Sequence, residues 1–232
     1  MTKQMFVLPY AGGSASIYNG WMSKFGNLID LRPIEYAGHA SRFCEDFYTS
    51  IEAAAEDISE IIRKQQQGDY VIYGHSMGCL VALETAFALK RKGIVPPKAI
   101  LVAGTRPLHL MHKDKPLGTL SKEDLMKEIV SLGQFEPEVL ECEELYDMIA
   151  EIMYADVQMF SKYKRHYETG TLDIPILAMC GDSDPEAPAE DVKEWRKYTT
   201  GDFTFQSFSG GHFFAFDEND AFTEYVWQYI SR

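Results

Sequence analysis

Gly74-His75-Ser76-Met77-Gly78 constrains this chain more than any other stretch. Asp69-Tyr70-Val71-Ile72-Tyr73 before it reads as a short buried strand, and Gly78 to Ala86 after it reads as an apolar helix. A strand that turns sharply into a helix needs glycine on both flanks, because a Cβ at either position would crowd the turn. The serine hydroxyl is then lifted clear of the sheet edge. The helix N-terminus aims its N–H groups and the positive end of its dipole at the same point. A bare Gly-x-Ser-x-Gly arises by chance. The strand and helix flanks give it weight, and together they predict a nucleophile elbow at Ser76.

The rest of the chain fits that elbow. Six apolar runs read as strands: Met5–Pro9, Leu31–Tyr36, Tyr70–Tyr73, Ala99–Ala103, Ile174–Cys180 and Phe203–Phe208. Most are continuously apolar, as expected of strands covered on both faces in a mostly parallel sheet. Helical patterns fall between them at 51–66, 78–92, 186–198 and 219–230, and Gly93 is placed to cap the second. Strand–helix alternation predicts a doubly wound α/β fold. With 232 residues, 46% hydrophobic and 25% charged, one domain over 1–232 with a small insert is expected.

The alternation breaks once, from about 106 to 167. Two helical stretches fill the gap, about 121–132 and 138–166, and Ser121 has the makings of an N-cap with Asp124 three residues on. The insert follows the strand next to the one that carries Ser76. It reads either as extra packed helices or as a lid over the serine, and a long insert in a compact domain favours the lid.

A serine hydroxyl needs a base within reach and a third group to orient that base. Behind a nucleophile elbow these come later in the chain, acid first and histidine second. His39 precedes the serine, and His75 is its immediate neighbour, expected to leave the elbow in another direction. His109, His112 and His166 lie in the insert. His212 stands in Ser209-Gly210-Gly211-His212-Phe213-Phe214, between the last strand and the last helix, where a base is delivered over the sheet edge. The acid belongs on Gly181-Asp182-Ser183-Asp184-Pro185. Asp184 is better placed to reach His212, and Asp182 is better placed to cap the turn. For the oxyanion hole, the Met77 backbone N–H is one donor. The second comes from Pro9-Tyr10-Ala11-Gly12-Gly13-Ser14-Ala15, with Ala11 preferred over Tyr10. That loop has neither a Walker lysine nor dinucleotide-binding spacing.

Composition limits the partners. A net charge of −13 argues against nucleic acid and anionic membrane. The N-terminus lacks a signal-peptide layout and no apolar run approaches spanning length, so a cytoplasmic protein is expected. Cys44, Cys79, Cys142 and Cys180 are scattered and expected as buried free thiols, with no metal site and no cofactor.

With these residues in place, the chain resembles the stand-alone type II thioesterases of nonribosomal peptide and polyketide synthesis. The resemblance is carried by Leu8-Pro9-Tyr10-Ala11-Gly12-Gly13-Ser14-Ala15, Gly74-His75-Ser76-Met77-Gly78, Gly181-Asp182-Ser183-Asp184-Pro185 and Gly210-Gly211-His212-Phe213-Phe214. Their order and spacing match over almost the whole chain. The segment Leu132–Leu140 resembles the family's lid entrance.

The resemblance implies an α/β-hydrolase fold with a helical lid. The implied activity is hydrolysis of acyl groups from the phosphopantetheine arm of acyl or peptidyl carrier proteins, by a chain expected to be monomeric. It assigns Ser76 as nucleophile, Asp184 as acid, His212 as base, and Ala11 and Met77 to the oxyanion hole. Tyr10 stands where the family usually has histidine. Gly38-His39-Ala40-Ser41-Arg42 replaces the usual Gly-Arg-Gly-x-Arg, with Arg42 kept. Arg42, Lys113, Lys115, Lys122, Lys162, Lys164 and Arg165 are candidates for a local basic docking patch on an acidic protein. A carboxylesterase or acyltransferase with the same triad is the alternative enzyme, and a non-catalytic binding protein the remote one.

Overall fold

The computed structural model describes residues 3–111, 117–131, 142–165, 167–217 and 220–232. Six strands form one sheet: β1 (Lys3–Leu8), β2 (Ile29–Pro33), β3 (Tyr70–His75), β4 (Ile100–Ala103), β5 (Ile176–Gly181) and β6 (Phe203–Phe208). Their order is β2-β1-β3-β4-β5-β6. Every pairing is parallel, as continuous apolar strands buried on both faces require. One lateral row, Val7–Tyr73–Leu101–Leu177, faces the core beneath α1 (Asn19–Phe25) and the C-terminal helix Ala221–Ile230. The next row, Leu8–Gly74–Val102–Ala178, faces α2 (Ile51–Gln65) and α3 (Met77–Arg91).

Local chemistry sets the helix ends. The Ser50 hydroxyl accepts from the Ala53 N–H at 3.1 Å and caps α2. Gly93, at φ +64°, ends the turn after α3. Several expected boundaries move by one to three residues, those of β2 the most. β2 starts two residues early and ends at Pro33, which has no N–H for the ladder. The Ile34 N–H makes one last bond to the Val7 carbonyl before the chain turns away.

The expected 186–198 helix is also corrected. It is one turn, Ala189–Val192, followed by a 3₁₀ run, Lys193–Tyr198. The three-residue period stacks Trp195 and Tyr198 on one buried edge, and the Trp195 indole donates to the Thr105 carbonyl at 2.9 Å.

The insertion follows β4. Among its described residues are α4 (Leu108–Met111), α5 (Lys122–Ser131) and α6 (Glu143–Ser161). Ser121 caps α5, its hydroxyl accepting from the Asp124 N–H at 3.1 Å. The expected 138–166 helix is shorter at its end, stopping at Ser161. Its residues 138–141 and 166, the lid-entrance segment Leu132–Leu140, His112, Lys113 and Lys115 lie outside the described residues.

The insertion has its own small core of Leu125, Met126, Ile129, Ala150, Met153 and Val157. Each large side chain there contributes about 1.5–3 kcal/mol by burial. The exit from α6 is anchored by charge. Glu84, on α3, is fully buried and accepts from the Tyr163 hydroxyl at 2.9 Å and from the guanidinium groups of Arg165 and Arg91, each at 3.0 Å. That explains the early stop, because Tyr163 and Arg165 must leave the helix to reach Glu84.

Of the four free cysteines, Cys79 and Cys180 are buried as expected, but Cys44 and Cys142 are exposed. Cys44 lies in the loop that follows Arg42, and Cys142 is at the α6 N-cap.

Breaking the Glu84 cluster strands the buried Tyr163 hydroxyl and removes the ion-pair partner of Arg165 and Arg91. Glu84→Ala is expected to lower unfolding free energy by about 3–5 kcal/mol in chemical denaturation. Removing the exposed Lys98–Asp69 pair should leave stability nearly unchanged. Equal effects for the two would refute the anchoring role.

Candidate active site

The strand order reverses between β1 and β3, so the loops leaving their C-terminal ends diverge and open a crevice there. β3 leads directly into Ser76, whose backbone is held at φ 52° and ψ −118°, a conformation rare for any residue with a side chain. Two contacts explain the flanking glycines. A Cβ on Gly74 would lie 2.2 Å from the Gly78 carbonyl oxygen, and one on Gly78 would lie 2.4 Å from that of Leu8. Strand, helix and β1 are packed too closely at this corner for any side chain. The Ser76 N–H donates to the Ala103 carbonyl at 2.8 Å, which ties the turn to β4.

Asp184 and His212 come together from two loops that follow β5 and β6. His212 Nδ1–H donates to Asp184 Oδ2 at 2.9 Å. The Asp184 carboxylate is buried, and its Oδ1 accepts from the Glu186 N–H at 2.9 Å, so both oxygens are fixed. Asp182 has a different set of partners. Its Oδ1 accepts from the Gly210 N–H at 3.1 Å and from the Ser183 hydroxyl at 2.9 Å, bracing the loop that carries His212.

Ser76, Met77, Ala11 and His212 all line one cavity of about 380 Å³. Met77 is the first residue of α3, so its N–H has no carbonyl one turn earlier to bond. From this polar corner the cavity continues between α3 and the insertion, past Leu80, Leu108, Ile129, Met153, Val157 and Phe160. Its size falls in the range of small-ligand sites, roughly 300–1,000 Å³. A larger open depression, of about 830 Å³, lies at the N-terminal ends of β1 and β2 around Gln4 and Asp30, away from Ser76 and His212. Convergent chemistry, not size, identifies the site.

The loop after β1 is held from several sides. The Tyr18 and Tyr36 hydroxyls donate to the Leu8 and Pro9 carbonyls, at 2.7 and 3.0 Å. The Ala15 N–H donates to Glu35 at 3.1 Å, and the Gly12 N–H donates to Asp156 of α6 at 2.8 Å. Tyr10 packs edge-on to Phe213 at 4.9 Å and to His75 at 6.0 Å, and burial pushes its phenol pKa upward. At this position the ring packs as a neutral group.

Several working residues were missed from sequence. His75 is fully buried, and its Nε2–H donates to the His212 carbonyl at 2.9 Å while Nδ1 faces the Tyr73 hydroxyl at 3.1 Å. Burial first, and then the charge of His212, hold its pKa well below the usual histidine value, so it supports the His212 backbone as a neutral ring. Asp156 and His39 form a buried pair at 3.0 Å. No sequence spacing signals these contacts, which join residues on separate elements.

The basic candidates are largely committed elsewhere. Arg42 is clamped by Glu45 and Asp57, Lys122 pairs with Glu151, and Arg165 with Glu84. Lys162 and Lys164 are exposed. Among the described residues, no group of acidic, histidine or cysteine side chains is arranged to hold a metal. No helix there is long and apolar enough to cross a membrane.

Comparison with known proteins finds its likenesses among thioesterases. The thioesterase domain family model matches residues 3–229. Thioesterase PikA5 of Streptomyces venezuelae is 31% identical over 216 residues, covering 93% of this chain and 76% of that protein. The crystal structure of ClbQ, from the colibactin nonribosomal peptide/polyketide pathway, superposes with a TM-score of 0.91 at 30% identity, over 100% of this chain and 98% of that one. RedJ, a thioesterase of the prodiginine pathway in Streptomyces coelicolor, gives 0.84 at 30% identity, over 98% and 84%.

The two loop carboxylates should separate cleanly by substitution. Asp184→Asn is expected to lower kcat roughly 10³–10⁴-fold with little change in melting temperature, because the base loses its tautomer control. Asp182→Asn should lower the melting temperature and cost far less activity. The reverse ranking, read from kinetics and thermal melts side by side, would exchange their roles.

Proposed function

The chain belongs to the thioesterase family, and on that premise we propose that it clears acyl groups from the phosphopantetheine arm of carrier proteins, regenerating stalled or misprimed modules of a nonribosomal peptide or polyketide synthetase. It is a hydrolase of thioesters with an α/β-hydrolase fold. The observation that carries the finer reading is the cavity. It joins a serine, a histidine held by a buried acid behind it, and an apolar channel roofed by the insertion.

In the proposed mechanism, Ser76 Oγ attacks the thioester carbonyl carbon while His212 Nε2 accepts its proton. The oxyanion receives N–H bonds from Ala11 and Met77, at a helix N-terminus whose dipole favours negative charge. Collapse breaks the C–S bond, and His212 returns the proton to the departing pantetheine sulfur. Water then attacks the acyl-serine with His212 taking its proton, the C–O bond to Ser76 breaks as His212 returns that proton to Ser76 Oγ, and the free acid leaves. Asp184 orients His212 and stabilises its cation throughout. The protonations close without a metal or cofactor of the enzyme's own.

The apolar channel supports an acyl group as the part bound beneath the insertion, which we read as a lid. Since the protein carries a charge of −13, docking of a carrier would rest on apolar contact and local bases. A cytoplasmic monomer without nucleic-acid partners fits this role.

The test is mass spectrometry of an acyl-loaded carrier protein incubated with the enzyme. Free acid and regenerated carrier thiol are expected. Ser76→Ala should slow release by on the order of 10⁴-fold or more while the protein stays folded. The carrier substrate should show a higher kcat/KM than the same acyl group on N-acetylcysteamine, through binding energy realised in the transition state. Equal values would leave a thioesterase without carrier recognition. An unchanged carrier would overturn the reading.

A further inference from the structure

The contact between Asp156 and Gly12 links the insertion to the oxyanion loop. Asp156 lies on α6, is buried, and its Oδ2 accepts two hydrogen bonds. One comes from the Gly12 N–H at 2.8 Å, the residue after Ala11. The other comes from His39 Nε2 at 3.0 Å. Met153, one helical turn earlier, lies against the same glycine, so that a Cβ on Gly12 would fall 2.5 Å from its terminal methyl. Gly12 itself sits at φ +77°. One face of α6 therefore clamps the loop by a hydrogen bond and by packing.

His39 is buried, and both of its ring nitrogens face acceptors. Nδ1 lies 3.1 Å from the Ala37 carbonyl oxygen, and Nε2 lies against the Asp156 carboxylate. A neutral imidazole has one N–H and cannot donate to both. The geometry calls for a doubly protonated ring, a buried imidazolium paired with a buried carboxylate.

We propose that Asp156 is a positioning residue that fixes the oxyanion loop through the Gly12 N–H, and that protonated His39 holds the Asp156 carboxylate in place to do so. The inference rests on Ala11 serving as an oxyanion donor. It ties the loop's geometry to the seating of α6, since a raised helix would carry the carboxylate away from Gly12.

The ionisation of His39 agrees with this placement. Burial works against its charge, but the hydrogen bond and charge of Asp156, the Ala37 carbonyl and the charge of Glu35 outweigh it and raise its pKa above the usual value. The titratable groups that face it are Asp156 from α6 and Glu35 and Tyr36 from the segment after β2. The Tyr36 ring is 5.6 Å away, and burial keeps its phenol neutral. Because the folded pKa is raised, the support His39 gives the clamp is complete below that raised value and weakens as pH climbs through it, when the neutral ring has one N–H left for two acceptors. Activity then acquires an alkaline limb from His39.

The experiment measures kcat and KM for a short acyl-N-acetylcysteamine thioester across pH, with melting temperature recorded for each protein. Asp156→Ala should lower kcat by about ten- to a hundredfold with KM little changed, as small misplacements of reacting groups do. Asp156→Asn keeps an oxygen for the Gly12 N–H and should retain more kcat than the alanine variant, with its alkaline inflection moved to lower pH. His39→Gln should abolish that inflection. Wild-type kcat in folded Asp156→Ala, or an alkaline inflection that survives in His39→Gln, would overturn the proposal. If Asp156→Ala does not fold, the pH profiles of the other two decide. Activity surviving in Ser76→Ala would instead overturn the serine mechanism on which the proposal rests.

Discussion

The close approach of three backbones at Ser76 is the constraint on which the rest depends. β1, β3 and the first turn of α3 meet where neither Gly74 nor Gly78 has room for a Cβ. The price is a strained serine backbone, of order 1–3 kcal/mol. Every residue of β3 is buried, as is α3 from Met77 to Leu89, and that burial offsets the strain. In return the corner fixes four things at once: the direction of the Ser76 hydroxyl, the Met77 N–H at a helix start, the neighbouring β1 loop, and the line of β4 behind them. An alanine at either glycine would disturb all four, because they share the same few backbone atoms.

The route from sequence to site was short for residues governed by chain order and strand ends. Parallel strands deliver their loops to one edge, so Ser76, Asp184 and His212 could be placed from the positions of β3, β5 and β6. The Asp182–Asp184 ambiguity was open in sequence because both lie on one loop. Only the directions of the two carboxylates distinguish them, one toward His212 and one toward the Gly210 N–H. Pairs formed across the fold were not legible. His39 and Asp156 meet only because α6 folds back over the loop after β2. Glu84 reads as an ordinary polar position on an apolar helix until Arg165 and Tyr163 arrive from the end of the insertion. The 3₁₀ run at Lys193–Tyr198 was read as α-helix because, over so few residues, periods of 3 and 3.6 coincide.

Histidine illustrates how environment divides one residue type into several roles. His212 is partly open to the cavity with one nitrogen engaged by a carboxylate, which in the proposed mechanism leaves the other for proton transfer. His75 has no carboxylate partner, is sealed from water, and supports a carbonyl as a neutral ring. His39 is equally sealed but faces two acceptors, one of them charged, and burial there does not suffice to neutralise it. Burial is common to the last two, so the partner atoms decide the outcome. Chain order eliminates His39 and His75 as bases without revealing that each fixes a different part of the same site.

The chemistry explains why so much of this structure is devoted to position. A thiolate is a good leaving group, so a thioester asks little of an acid. The demanding requirements are a well-directed nucleophile and donors already in place where the oxyanion forms, since dipoles fixed in advance need no reorganisation during the reaction. In this chain the Met77 N–H is held at a helix start, while the proposed second donor, Ala11, sits on a loop that has no regular secondary structure to stiffen it. Two tyrosine hydroxyls hold its start from the sheet side, Glu35 holds its end, and Asp156 holds its centre from above. Three of these four supports come from the body of the fold and are fixed with it. The fourth rides on the insertion that also roofs the apolar channel, so in the proposed mechanism the same helix that encloses the substrate's apolar part sets the backbone that meets its carbonyl oxygen.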